Sequence, residues 1–318
     1  MQPIFATILV MVLSMTACAP QKSGSQAGST PLQTSDAALS PSLSTTPLTP
    51  SATHTQTPQP SAIPTTAPSP IPPSATPDVK IELVNFTTQD DIKLAGTVFG
   101  EGDLAVILAH MGMPDVDQES WQPFARLLAE RGFTALTFDF RGRGKSKGNP
   151  VFNRLPHDVD AAIQFLQDWG YERIVCIGAS MGGTACMRAA LDHDLVGLGV
   201  IASVMSNGKP NQVSAYEVQQ LTLPKVLVYA GNEAPAVVID MKIISDLAPE
   251  PKLVQVYQAS AHGTNLFNTE YGGQLTELLI GFLEAILSNS PLPTPQGGEH
   301  ETVDYFMHIP EHNYLRLC

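Results

Sequence analysis

Along the middle two thirds of the chain, apolar residues follow two rhythms that alternate. Short runs apolar at almost every position (Leu104–Ala109, Thr134–Phe140, Ile174–Ile177, Gly197–Ala202, Lys225–Ala230 and Leu253–Tyr257) predict strands covered on both faces. Between them lie stretches with apolar side chains at helical spacing. Ser120–Arg131 carries Trp121, Phe124, Leu127 and Leu128 in register, with Ser120 placed to cap its start and Gly132 to stop it. Pro156–Trp169 sets Val159, Ile163 and Leu166 on one face, with its proline in the first turn. Thr184–Leu191, Val238–Leu247 and Gly272–Leu287 complete the helical set. Ahead of these, Ile81–Phe86 and Ile92–Phe99 flank Thr87–Asp91 and predict a hairpin at one sheet edge. The alternation predicts an α/β fold with a mainly parallel sheet and right-handed crossovers. The segment from Ala202 to Lys225 is too short to hold a cap domain, which predicts an open, shallow cleft.

The two ends break this rhythm. Ile4–Leu13 is apolar except for Thr7, the length of a signal-peptide core, although no Lys or Arg precedes it. Met15-Thr16-Ala17-Cys18 follows and resembles the lipobox of bacterial lipoproteins, which implies a signal peptide over residues 1–17 and lipidation of Cys18. An ordinary secretory signal or a buried helix are the alternatives. From Ala19 to Pro77 the chain is mostly Ser, Thr, Pro, Ala and Gln, with Lys22 and Asp36 as its only charges. Such a stretch buries too little apolar surface to offset chain entropy, so residues 18–78 are expected to form an extended, disordered stalk. The globular domain is expected over residues 79–290. Residues 291–318 read as an irregular tail whose His300, His308 and His312, eight and four apart with no thiolate nearby, do not suggest a metal site.

Because Lys22 and Asp36 cancel, the whole net charge of -13 falls on the domain and tail. An acidic surface argues against nucleic acid and against electrostatic docking on anionic lipid, leaving a lipid anchor as the expected membrane contact. Cys176 and Cys186 read as small core residues, Cys318 ends the chain, and no pair has zinc-ligand spacing. An exported protein can carry a disulfide, but these positions do not dictate one.

The candidate chemistry sits at Gly178-Ala179-Ser180-Met181-Gly182-Gly183, between an apolar run and a helix-compatible stretch. A strand that reverses into a helix within a few residues lifts its central side chain clear of the sheet, which makes Ser180 a candidate nucleophile. The Met181 N–H then points to where an oxyanion would form. A serine hydroxyl needs a base, and His262 is the candidate because its loop follows the last strand, on the edge where open α/β sheets gather their chemistry. Asp139 to Ser146 contains Gly142, Gly144 and Lys145 but lacks phosphate-loop spacing, and reads as a tight turn that places Arg141 beside that edge.

Four features in order, His110-Met111-Gly112, Asp139 to Ser146, Gly178 to Gly183 and Ala261-His262-Gly263, make residues 81–288 resemble the α/β-hydrolase family. The resemblance is to its small, capless esterase and dienelactone-hydrolase-type members. It implies a three-layer α/β-hydrolase fold, a second oxyanion donor from Met111 or Gly112, and a triad carboxylate in a Gly-x-x-Asp pattern after the seventh strand. Here that stretch is Gly231-Asn232-Glu233-Ala234, so Glu233 stands one residue early; Asp240 or no acid at all are the alternatives. A dienelactone hydrolase proper carries a cysteine where this chain has Ser180. The expected function is a serine hydrolase acting on a small carboxylic ester or related acyl substrate. The alternative is a non-catalytic binding lipoprotein with a degraded acid. No metal or organic cofactor is implied.

Overall fold

The computed structural model describes residues 78–295. The expected signal peptide, Cys18, nearly all of the expected stalk and most of the tail with its three histidines lie outside those residues. Residues 291–295 form neither helix nor strand. No helix among the described residues is long and apolar enough to cross a membrane.

Eight strands make one sheet: β1 Ile81–Thr87, β2 Lys93–Phe99, β3 Ala105–Ala109, β4 Thr134–Phe138, β5 Ile174–Ala179, β6 Gly197–Ile201, β7 Lys225–Ala230 and β8 Lys252–Tyr257. Their order across the sheet is β1-β2-β4-β3-β5-β6-β7-β8. β2 runs antiparallel to both neighbours and all other pairs are parallel. Every residue of β3, β4, β5, β6 and β7 is buried, which is why these strands read as nearly continuous apolar runs. The edge strands alternate instead: β1 exposes Ile81 and Leu83, and β8 buries every second residue.

The helices are α1 Gln122–Glu130, α2 Leu155–Asp168, α3 Met181–Asp192, α4 Ala215–Val218, α5 Pro235–Leu247 and α6 Gly272–Ser288. They cover both faces of the sheet, so the fold has three layers. Arg131, just after α1, pairs with Glu277 of α6 at 3.5 Å. Between β6 and β7 the chain forms only the single turn α4, and no cap domain is inserted.

Three local readings change. Ser120 does not cap α1: a 3-10 turn, Gln118–Trp121, precedes the helix, and the Asp117 carboxylate accepts the Glu119 N–H at 2.8 Å. Ser120 Oγ instead donates to the Asp117 carbonyl at 2.8 Å. α5 starts at Pro235 rather than Val238, the proline taking a first-turn position where no amide hydrogen is needed. Arg141, expected beside the functional edge, is drawn into a buried ion pair. It contacts Asp158 of α2 at 2.7 Å and Asp90 of the first hairpin at 2.7 Å. The Arg141 guanidinium holds Asp90 well below the usual carboxylate range. One side chain thus ties the β1–β2 hairpin to α2.

Asp158 is fully buried, so removing it takes away the buried partner of Arg141 and leaves only the part-exposed Asp90 carboxylate. Asp158→Ala is expected to lower unfolding free energy by about 3–5 kcal/mol. Urea denaturation followed by circular dichroism checks this, and a change below about 1 kcal/mol would show the pair to be unimportant.

Candidate active site

The parallel register brings the functional loops to one sheet edge. β3 ends at Ala109 opposite Gly178, and β5 ends at Ala179 opposite Ile201. β7 ends at Ala230 opposite Tyr257. His110, Ser180, Glu233 and His262 therefore all follow C-terminal strand ends.

Ser180 sits between β5 and α3 at φ 52° and ψ −121°, a region that side-chain-bearing residues rarely adopt. The surrounding glycines permit the turn through contact rather than through freedom of their own. A Cβ on Gly178 would lie 2.3 Å from the Gly182 carbonyl oxygen. One on Gly182 would lie 2.5 Å from the Ala109 carbonyl oxygen, and one on Gly183 1.9 Å from Ser203 Oγ. The Ser180 N–H donates to the Ile201 carbonyl at 2.8 Å, which fixes the elbow to β6. α3 begins at Met181, three residues earlier than its apolar spacing predicts. The Met181 N–H therefore belongs to a first helical turn, where no intrahelical acceptor exists.

A disulfide joins Cys176 of β5 to Cys186 of α3, with Cα atoms 5.6 Å apart. Sequence reasoning left both as core thiols. The available signal was geometric: Cys176 and Gly178 share a strand face, and Gly178 is the residue on which α3 folds back.

His110 is fully buried at the end of β3. The Phe140 N–H can only donate, so at 3.2 Å it makes His110 Nε2 the acceptor. Nδ1 then carries the hydrogen and donates to the Met111 carbonyl at 2.8 Å. Burial pushes His110 below its ordinary range and keeps it neutral. A trans peptide sets its C=O and N–H on opposite sides. Pinning the Met111 carbonyl onto the buried imidazole therefore turns the Gly112 N–H away from it. The His110 carbonyl lies against α3, 2.7 Å from where a Gly182 Cβ would be, so the Met111 N–H of that peptide faces away from the elbow helix. Of the two candidate amides, Gly112 is the one this arrangement favours. Gly112 also lies against Met181: its added Cβ would stand 2.9 Å from Met181 Sδ and 3.0 Å from the Phe152 ring.

His262 Nδ1 is hydrogen-bonded to Glu233 Oε1. The Glu233 side chain is 4% exposed and the His262 side chain 28%. The other Glu233 oxygen is buried without a partner, so His262 is the group on which this carboxylate depends. Asp240 is engaged elsewhere, its carboxylate accepting the Met205 N–H at 2.8 Å. The Glu233 and His262 loops are held side by side past the strand ends, Gly231 N–H donating to Tyr257 O at 2.8 Å and Asn232 N–H to Ala259 O at 2.9 Å.

β8 lies three strands from β5, about 14 Å away at ordinary strand spacing. The loop Gln258–His262 can span about 17 Å, enough to return over the edge. It does so: a Cβ on Gly263 would be 3.4 Å from Ala179 Cβ and 2.7 Å from Met111 Sδ, and Gly263 itself has φ 56°. The residue after His262 thus rests on the residue before Ser180. Phe152, Met113 and Val151, each a little over 40% exposed, add apolar surface on this side of the domain.

A family model described as Hydrolase_4, "Serine aminopeptidase, S33", matches residues 103–264. The uncharacterized protein YfhR of Escherichia coli K12 is 26% identical over 234 residues, 65% of this chain and 82% of that protein. Among solved structures, the esterase Pf2001 of Pyrococcus furiosus superposes with a TM-score of 0.53 at 20% identity, covering 64% of this chain and 92% of that one. A malate-bound thermophilic esterase from Thermogutta terrifontis gives a TM-score of 0.55 at 18% identity, covering 64% and 99%. At these identities the likeness to the two esterases is one of fold.

The elbow predicts a test of its own. Ser180→Gly removes the side-chain penalty at positive φ and is expected to stabilise the domain by about 1 kcal/mol or more, whereas Ser180→Ala is not. Equal urea midpoints for the two variants would show that the Ser180 backbone carries no such penalty.

Proposed function

From the premise that the chain belongs to the Hydrolase_4 (Serine aminopeptidase, S33) family, we propose that it is a serine hydrolase cleaving carboxylic esters through an acyl-enzyme. The observation that carries this reading is the Glu233–His262 contact, placed on the sheet edge where Gly263 rests on Ala179. Glu233 accepts the Nδ1 hydrogen, which leaves Nε2 as the basic nitrogen. His262 Nε2 takes the Ser180 hydroxyl proton as Oγ bonds to the ester carbonyl carbon. The carbonyl oxygen becomes an oxyanion held by the Met181 and Gly112 N–H groups. Collapse breaks the bond to the alcohol, whose oxygen receives the proton from His262. Water then repeats the sequence on the acyl-enzyme and releases the acid.

The exposed apolar surface of Phe152 and Met113 suits an uncharged acyl or aryl group, and the acidic chain disfavours anionic substrates. The binding-only reading drew on the missing aspartate; a carboxylate on His262 Nδ1 supports the catalytic reading in its place.

The proposal extends to placement: a lipid on Cys18 and a stalk over residues 18–78 hold the domain outside the cytoplasmic membrane. The Cys176–Cys186 disulfide supports an oxidising compartment. In the native host, Cys18→Ser is expected to move the protein from the membrane fraction to the soluble one; unchanged membrane retention would contradict the anchor.

For catalysis, a fluorophosphonate probe is expected to label wild type and not Ser180→Ala. Glu233→Gln is expected to lower p-nitrophenyl ester turnover by about 10⁴-fold. Wild-type turnover in Glu233→Gln would move the acid elsewhere, and folded wild type that neither labels nor turns over ester would favour a binding protein.

A further inference from the structure

The loop Gly112–Pro114 that follows β3 belongs to no helix or strand, yet the proposed oxyanion donor Gly112 must hold its amide still. His110 fixes the preceding peptide from below. From the other side, one guanidinium reaches three successive carbonyls. Arg143 Nη1 donates to Pro114 O at 2.9 Å and to Met113 O at 3.4 Å, and Nη2 donates to Gly112 O at 3.4 Å. Among the described residues Arg143 makes no ion pair with a carboxylate, unlike Arg141 and Arg188, which each hold two. Its donors go to backbone carbonyls, as those of Arg173 go to Ile286 O and Leu287 O at the end of α6.

The base from which Arg143 reaches is rigid. Its turn follows β4, the strand next to β3, so turn and loop are neighbours by register. The Asp139 carboxylate accepts the Gln118 N–H at 3.0 Å and the Lys145 N–H at 2.8 Å, and a Cβ on Gly144 would collide with it at 2.3 Å. The Arg143 N–H closes the turn on Phe140 O at 3.0 Å. A planar guanidinium with donors in a fixed fork can hold several acceptors at once, which an ammonium on a flexible stem does less well.

We propose that Arg143 is a positioning residue for the hydrolytic reaction: by clamping the Gly112, Met113 and Pro114 carbonyls it fixes the oxyanion loop against the elbow. This rests on the hydrolase reading above. It acts through backbone, touches no reacting atom, and so affects the transition state more than substrate capture.

The experiment compares wild type, Arg143→Ala and Arg143→Lys in p-nitrophenyl ester kinetics, fluorophosphonate labelling rate and urea unfolding. Arg143→Ala is expected to lose about 10- to 100-fold in kcat with KM nearly unchanged, and to label more slowly by a similar factor. Its unfolding midpoint is expected to stay close to that of wild type. Low, non-denaturing guanidinium is expected to restore part of the Ala variant's rate, and Arg143→Lys to fall between the two. Wild-type kcat in Arg143→Ala, a loss confined to KM, or a loss that merely tracks unfolding would overturn the assignment. If Arg143→Ala does not fold, Arg143→Lys decides on the same kcat and KM criteria. Wild type inert to probe and ester would instead defeat the hydrolase reading, and this assignment with it.

Discussion

Everything at the functional edge depends on the backbone of one residue. Ser180 is held at positive φ by contacts that an added methyl group would destroy, with Gly178 on Gly182, Gly182 on Ala109 and Gly183 on Ser203. The buried Cys176–Cys186 bridge closes the same short loop covalently. These constraints lift the hydroxyl off the sheet and start α3 at once, so that Met181 presents an unpaired amide beside it. Strain at such a position is tolerated only where the surroundings over-determine it. Here strand pairing, helix packing and a covalent link all do so.

The remaining parts of the site are brought to that point by loops that would otherwise be free to wander, and each is tied down by a polar contact. A neutral His110 turns one peptide, Arg143 grips the next three carbonyls, and the extended β7–β8 pairing keeps Glu233 next to His262. The half-satisfied Glu233 carboxylate is informative. One of its oxygens is buried without a partner, so the carboxylate rests on the His262 contact alone.

Much of this architecture was legible in the sequence because parallel strands buried on both faces leave a nearly continuous apolar signature, and because glycines crowd where a strand must reverse. The places of Ser180, at a strand-to-helix reversal, and of His262, past the last strand, follow from order and spacing. The misreadings came from signals that compete locally. Ser120 looked like a cap, but Asp117, three residues earlier, starts a 3-10 turn first. The helix after β7 was started at Val238 by its apolar spacing, whereas Pro235 sets the true start and leaves Glu233 in the loop. Arg141 and Arg143 are equivalent as letters. Only the fold shows that Asp158 and Asp90 claim the first while the second turns to the Gly112 loop. The disulfide was illegible because a strand cysteine and a helix cysteine ten residues apart meet only once the elbow is drawn.

The central claim is that hydroxyl, imidazole and two amides converge on a single reacting carbonyl. A crystal structure of the domain after reaction with a phosphonate ester tests it most directly. The account predicts phosphorus bonded to Ser180 Oγ, a phosphoryl oxygen within hydrogen-bond distance of both the Met181 and Gly112 amides, and His262 Nε2 facing Oγ while Nδ1 stays on Glu233. Phosphonate on another residue, or a phosphoryl oxygen pointing to solvent with His262 turned away, would contradict it.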